Sequence, residues 1–123
     1  MILVDTSVWI DHLRHTEPLL AAALDRGEVL THPFVIGELA CGNIRNRAEI
    51  LGLLRELPAS PEATNEETLR FIETRGLMGR GIGLIDVHLL ASAALAGTAL
   101  LWTMDNRLGA VAKSLRLGYR AAT

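Results

Sequence analysis

Asp5, Glu38, Asp86 and Asp105 are four carboxylates set where apolar segments run into a polar group. Asp5 ends the strand-like run ILVD, and Asp105 ends ALLWTMD. Asp86 stands in the apolar helical run IDVHLLASAAL, and Glu38 interrupts PFVIGELACG. Taken singly, three of them have an ordinary use: Asp5, Asp86 and Asp105 are each suited to cap a helix, because a short acidic side chain accepts from the free amides of a first helical turn. Glu38 has the weakest such reading. Phe34, Val35, Ile36, Leu39 and Ala40 surround it. A Glu at the margin of an apolar face needs a partner, or its pKa must rise.

Taken together, the four suit a shared site. Two carboxylates about 4 Å apart repel by about 4 kcal/mol at a moderate effective dielectric, so a cluster of them requires cations. No Lys is near any of the four in sequence, and only Arg80 and Arg107 come close to two of them. The natural counter-charge is a divalent ion. An all-oxygen donor set selects a hard one, Mg²⁺, with Mn²⁺ as a substitute. Such ions acidify water and shield a phosphodiester under in-line attack, a hydrolysis that needs no Ser, Cys or His nucleophile. The expected centre is therefore a one-metal or two-metal nuclease site.

The elements that must position these acids follow from the apolar pattern. Ile2–Val4 is β-branched and apolar and reads as a strand, and Asp5-Thr6-Ser7 leads into a helix through Trp9, Ile10 and Leu13. EPLLAAALDRG reads as a second helix with Pro18 at its start and Gly27 past its end. Residues 29–31 form a second strand, Pro33 opens a helix through Glu38 and Cys41, and residues 45–54 form another. Residues 57–61 suit a short strand or turn, weakened by Pro58 and Pro61. Thr64-Asn65-Glu66-Glu67 starts a helix whose apolar face is Leu69, Ile72 and Leu77. The glycine-rich segment 79–83 precedes the Asp86 helix. A strand at 99–102, a helix from Asn106 to about Leu117 and an edge strand at 119–121 complete the pattern. Alternating strands and helices predict an α/β fold with a parallel sheet covered on both faces. In such sheets ligands bind beyond the carboxyl ends of the strands, where Asp5 and Asp105 are expected.

The chain has 123 residues, and residues 1–123 read as one domain. Half of them are hydrophobic, which excludes a disordered chain and predicts a core of Leu, Ala, Ile and Val. The single cysteine, Cys41, allows no disulfide framework; it fits a reducing compartment and is expected in the core. No basic segment precedes the first apolar residues, so no signal peptide is expected and a cytoplasmic location is. The apolar stretch 82–102 is long enough to span a bilayer, but Asp86, His88 and its glycines favour a buried helix, a break and a strand, with no membrane role. Net charge is −2, which at first discourages an anionic partner. With the four acids set aside, ten acids stand against twelve basic residues, eleven of them Arg. The segment from Asn106 to the C-terminus carries Arg107, Lys113, Arg116 and Arg120 and no acid; it suits either a helix cationic at its C-terminal end or a phosphate track.

Other chemistries are poorly supported. His12 and His15 share a helix face without a third ligand, and His88 points away from Asp86 on the helix. GRGIG lacks the spacing and the preceding strand of a dinucleotide fingerprint. No P-loop or DxDxT start occurs, and Trp9 and Trp102 read as core or interface. A receiver-type phosphoacceptor would need an acidic pair after the first strand and a Lys near the end of the last.

The segments ILVDTSVWIDHLR, GELACG, GRGIGLIDVHLLASAAL and LLWTMDNRLGAVAKSL resemble the PIN-domain ribonucleases, in particular the VapC toxins of type II toxin–antitoxin modules. The resemblance spans almost the whole chain. It implies a three-layer α/β/α sandwich around a parallel sheet of about five strands. It implies that Asp5 and Asp86 are the principal Mg²⁺ ligands, that Asp105 completes the site, and that Glu38 joins directly or through water. It assigns Thr6, Ser7 and Thr103 to polar positions that orient the carboxylates. It further implies cleavage of single-stranded or looped RNA, often tRNA or ribosomal RNA, a homodimer, and silencing by a cognate VapB-type antitoxin. The rivals are a structure-specific DNA nuclease of the same fold and a non-catalytic PIN binding module; the intact set of acids speaks against the second.

Overall fold

A computed structural model describes residues 1–121. The chain forms β1 (Ile2–Val4), α1 (Thr6–Arg14), α2 (Pro18–Asp25), β2 (Val29–Leu30), α3 (Pro33–Cys41), α4 (Arg47–Glu56), α5 (Asn65–Arg75), α6 (Leu84–Ala96), β3 (Leu100–Trp102) and α7 (Asn106–Ser114). The sheet is parallel in the order β2-β1-β3, with Ile2 opposite both Val29 and Leu100 and Val4 opposite Trp102. All three residues of β1 are buried. Successive strand residues point to opposite faces, so an unbroken buried run means that both faces are covered. This is the α/β architecture that the alternation of elements predicts.

The sheet is narrower than the expected five strands. Segment 57–61 contributes a single parallel bridge, Thr31 to Ala59, and the segment after α7 a single bridge, Leu101 to Gly118. Prolines at 58 and 61 remove ladder donors on the first side. On the second side, Leu101 N–H donates to the Leu117 carbonyl (2.7 Å) and Tyr119 N–H to the Leu101 carbonyl (2.8 Å), around Gly118 rather than along 119–121. The last helix is also shorter than expected. It ends at Ser114, and Arg116 takes a left-handed conformation (φ 60°) that stops it before Leu117.

The local signals for the helices behave as their chemistry requires. Pro18 and Pro33 stand at helix starts, where a missing amide hydrogen costs nothing. Thr64 and Glu67 form a reciprocal capping box: the Thr64 hydroxyl accepts from Glu67 N–H (3.1 Å), and Glu67 accepts from Thr64 N–H (2.9 Å). The apolar stretch 82–102 resolves into α6, a break at Gly97 and β3; among the described residues no helix is long and apolar enough to cross a membrane. Cys41 is exposed, not in the core. It is the last residue of α3, a helix apolar on nearly every side, so its apolar neighbours could not indicate which face turns inward.

The core joins Leu3 and Val4 of β1, Val8 of α1, Leu89, Leu90 and Ala93 of α6, Leu101 of β3 and Leu108 of α7. Leu101 is sealed at 1% exposure, whereas Leu100 beside it is 37% exposed. Leu101→Ala is expected to lower stability by about 2–5 kcal/mol in urea denaturation. Leu100→Ala is expected to cost much less, and equal losses would contradict this register.

Candidate functional site

The strand order puts the second strand on one side of β1 and the third on the other. The chain passes from β1 to β2 on one side while β3 flanks β1 on the other, and the carboxyl ends of strands at such a reversal of order are where an open parallel sheet offers a crevice. Asp5 follows β1 directly, and its N–H donates to the Trp102 carbonyl (2.9 Å), which fixes it beside the end of β3. Thr103, Met104 and Asp105 follow β3 on the same edge.

Asp5 stands where a cap of α1 would, yet its side chain makes no capping bond. Its Oδ2 instead accepts from the Ser7 hydroxyl (2.8 Å) and from the Thr103 hydroxyl (2.7 Å). Each hydroxyl in turn accepts a backbone hydrogen: Met104 N–H donates to Ser7 Oγ (3.0 Å) and Asp105 N–H to Thr103 Oγ1 (3.1 Å). With a backbone donor on each oxygen, both hydroxyl hydrogens are directed at one atom of Asp5. Asp5 is buried, at 7% exposure, and two hydroxyls hold its carboxylate in one orientation.

The other three acids follow the same scheme. Asp86 Oδ2 reaches back over the first turn of α6 to accept from Gly83 N–H (3.0 Å). Asp105 Oδ1 caps α7 by accepting from Leu108 N–H (2.9 Å). Glu38 Oε1 accepts from the Thr6 hydroxyl (2.8 Å), which ties α3 to the first turn of α1. One oxygen of each acid anchors it. Asp5 Oδ1, Glu38 Oε2, Asp86 Oδ1 and Asp105 Oδ2 accept no hydrogen bond among the described residues. Asp105 therefore does cap its helix, Asp86 lies inside α6 and accepts from the amide of the cap residue Gly83, and both still present a free oxygen. Glu38 is exposed rather than set at a buried margin.

Electrostatics groups three of the acids. The Asp86 carboxyl is held above the usual carboxylate range, first by burial and then by the charges of Asp5 and Asp105, while the Gly83 N–H acts in the opposite direction. Glu38 joins this group through the Thr6 hydroxyl, one residue from Asp5. No Lys or Arg pairs with any of the four; the one ion pair among the described residues joins Arg26 to Glu28. Also among the described residues, no three His, Cys, Asp or Glu side chains close on a point as a ready-made ligand shell. A hard divalent ion such as Mg²⁺ keeps several waters and takes only one or two carboxylates directly. The donor chemistry and the uncompensated charge suit such an ion.

Arg107 is a contact that residue spacing could not reveal. Its side chain lies across Gly81, where an added Cβ would come within 2.9 Å of Arg107 Cδ. Gly81 also has φ +79°, a backbone conformation that favours glycine. The other singled-out side chains lie outside the site. His88 is buried, 3.3 Å from the Thr68 hydroxyl, with its ring edge-on to Phe34. His12 Nδ1 accepts from Glu17 N–H (3.0 Å), between α1 and α2.

Comparison with known proteins adds three findings. The family model of the PIN domain matches residues 2–114. Ribonuclease VapC32 of Mycobacterium tuberculosis, in strains CDC 1551 / Oshkosh and ATCC 25618 / H37Rv, is 51% identical over 110 residues, 89% of this chain and 89% of that protein. The crystal structure of PAE2754 from Pyrobaculum aerophilum superposes with a TM-score of 0.58 at 20% identity, covering 94% of this chain and 88% of that one. At that identity the likeness concerns the fold.

The raised pKa of Asp86 has a definite sign for stability. The folded protein binds this proton more tightly than the unfolded chain, so the contribution of the group is most favourable at acid pH. It is lost as pH rises from the unfolded value through the raised folded one. Asp86→Asn keeps an acceptor for Gly83 N–H and removes that loss. Without divalent ions the variant is expected to be more stable than the parent at neutral pH, and equal to it below about pH 3.9, in urea denaturation. A parent as stable as the variant at neutral pH would contradict the crowding of Asp86 by its neighbours.

Proposed function

The chain belongs to the PIN-domain family, and from that premise we propose that it is a divalent-metal-dependent endoribonuclease, the toxin of a toxin–antitoxin pair. The observation that carries the reading is the half-anchored state of four acids beyond the sheet's strand ends, with Asp86 held above its usual range by the charges of two others, Asp5 and Asp105, after burial. The ribonuclease name of a relative 51% identical supports RNA as substrate. Asp5, Asp86 and Asp105 would hold Mg²⁺ or Mn²⁺, with Glu38 reaching it directly or through water. When bound, the ion neutralises phosphodiester charge and acidifies water.

The chain's own residues supply position. Ser7 and Thr103 fix the rotation of Asp5, so Oδ1 keeps one direction whether or not a cation is present. The Gly83 and Leu108 amides do the same for Asp86 and Asp105. In the ion-free protein Asp86 holds a proton more readily than an ordinary carboxyl, which relieves part of the repulsion.

The reading includes a protein partner. Leu84 is 59% exposed two residues before Asp86, and Met104 is 57% exposed immediately before Asp105. Large apolar side chains at the lip of a charged site suit a covering segment such as that of a VapB-type antitoxin. A homodimer belongs to the same proposal.

Purified protein with Mg²⁺ or Mn²⁺ is expected to cut single-stranded RNA in preference to DNA of the same sequence. EDTA is expected to abolish the activity, and Asp5→Asn or Asp86→Asn to eliminate it. Ser7→Ala and Thr103→Val, which leave the free oxygens in place, are expected to lower it about 10–100-fold. Undiminished RNA cleavage by Asp5→Asn, with contaminating nuclease excluded, would sink the assignment.

A further inference from the structure

Thr103 has a second neighbourhood. One side of it donates to Asp5, and the residue also lines a groove of about 390 Å³ between β3 and the end of α7. The charge there has one sign: Lys113, Arg116 and Arg120 line the groove, and no Asp or Glu does so among the described residues. All three cations are exposed. Tyr119 joins them, its ring held against Trp102 with centroids 5.0 Å apart. Gly118, which also lines the groove, packs closely on the end of α7; a Cβ there would meet the Lys113 backbone nitrogen at 3.3 Å.

Arg116 stands in an uncommon place for its type. Leu117 N–H donates to the Ala112 carbonyl (2.8 Å), which closes α7 in the manner that puts a left-handed residue at 116. Glycine is the usual occupant of that position, since a side chain is disfavoured in this conformation. An Arg there keeps a guanidinium on the groove at the expense of backbone ease.

We propose that this groove is a subsite for single-stranded RNA, holding a nucleotide that neighbours the one at the carboxylates. The proposal rests on the nuclease reading for the direction of the strand, which would pass Thr103 from one site to the other. Guanidinium and ammonium groups bind the phosphate, the arginines through a planar fork. Tyr119 offers a ring on which a base of any identity can stack. An acidic peptide would meet the same cations, but nothing in its acidic groups stacks on the Tyr119 ring as a base does.

The test is fluorescence anisotropy with a short random-sequence single-stranded RNA across a salt series, on the Asp5→Asn chain so that nothing is cut. Lys113→Gln and Arg120→Gln are expected to weaken binding several-fold. Each should lower the slope of log affinity against log salt by about 0.7, the value for one lost single-strand phosphate contact. Arg116→Gly is expected to do the same while raising the melting temperature, a combination that a merely structural arginine would not give. Unchanged affinity and slope in all three variants overturn the proposal. So does loss of polyglutamate binding with RNA binding intact, which would assign the groove to an acidic protein segment. Cleavage by the unaltered chain is scored separately. Groove-dependent binding by a chain that cuts no RNA would keep the subsite and remove the nuclease reading; cleavage with groove variants that bind like the parent would do the reverse.

Discussion

Asp5, Asp86 and Asp105 repel one another beyond the strand ends, and the surrounding residues accommodate that repulsion without pairing it with a cation. A Lys or Arg pair would have quenched the charge, and none of the four acids has one among the described residues. The chain uses dipoles instead. Hydroxyls and backbone amides hold one oxygen of each acid and leave the other uncommitted. Hydrogen bonds of this kind fix direction while the negative potential persists, which is the condition for attracting a cation from solution.

The fold makes that arrangement possible through very little sheet. Three short parallel strands in the order β2-β1-β3 suffice to place the ends of β1 and β3 side by side. Helix starts then do the remaining work: the first turns of α1, α6 and α7 carry Thr6 and Ser7, Asp86, and the Leu108 amide that Asp105 caps. The loop after β3 is the most heavily used segment. Thr103 anchors Asp5, Met104 and Asp105 supply the amides that orient two hydroxyls, and Thr103 also borders the basic groove.

Much of this was legible in the residues. Apolar runs ending in Asp5 and Asp105 put both acids at strand ends, and the alternation of elements gave the parallel sheet. Asp86 and Asp105 showed why a capping reading and a site reading need not compete, since one carboxylate has two oxygens. What was not legible depends on distance or on orientation. Asp5 makes no cap; its Oδ2 is held instead by Ser7 and by Thr103, 98 positions away. Cys41 and Glu38 lie on α3, whose apolar residues surround the helix and hide which side faces water. The end of α7 was missed because an Arg occupies a position that usually announces itself with glycine. The basic segment after Asn106 was visible as composition, but only the turn at Arg116 brings three of its four cations to one groove.

The pairing of Ile2 with Leu100 joins residues from opposite ends of the chain. A ribosome releases them far apart in time. While the first hundred residues emerge, β1 has only the two residues of β2 to pair with, and Asp5 lacks the hydroxyl of Thr103 and the amides of Met104 and Asp105. Closing so long a loop is among the slower events in folding. The hydrogen bonds that orient Asp5 thus exist only once residues 103–105 have been made, and a shorter polypeptide carries the earlier acids without the geometry that organises them.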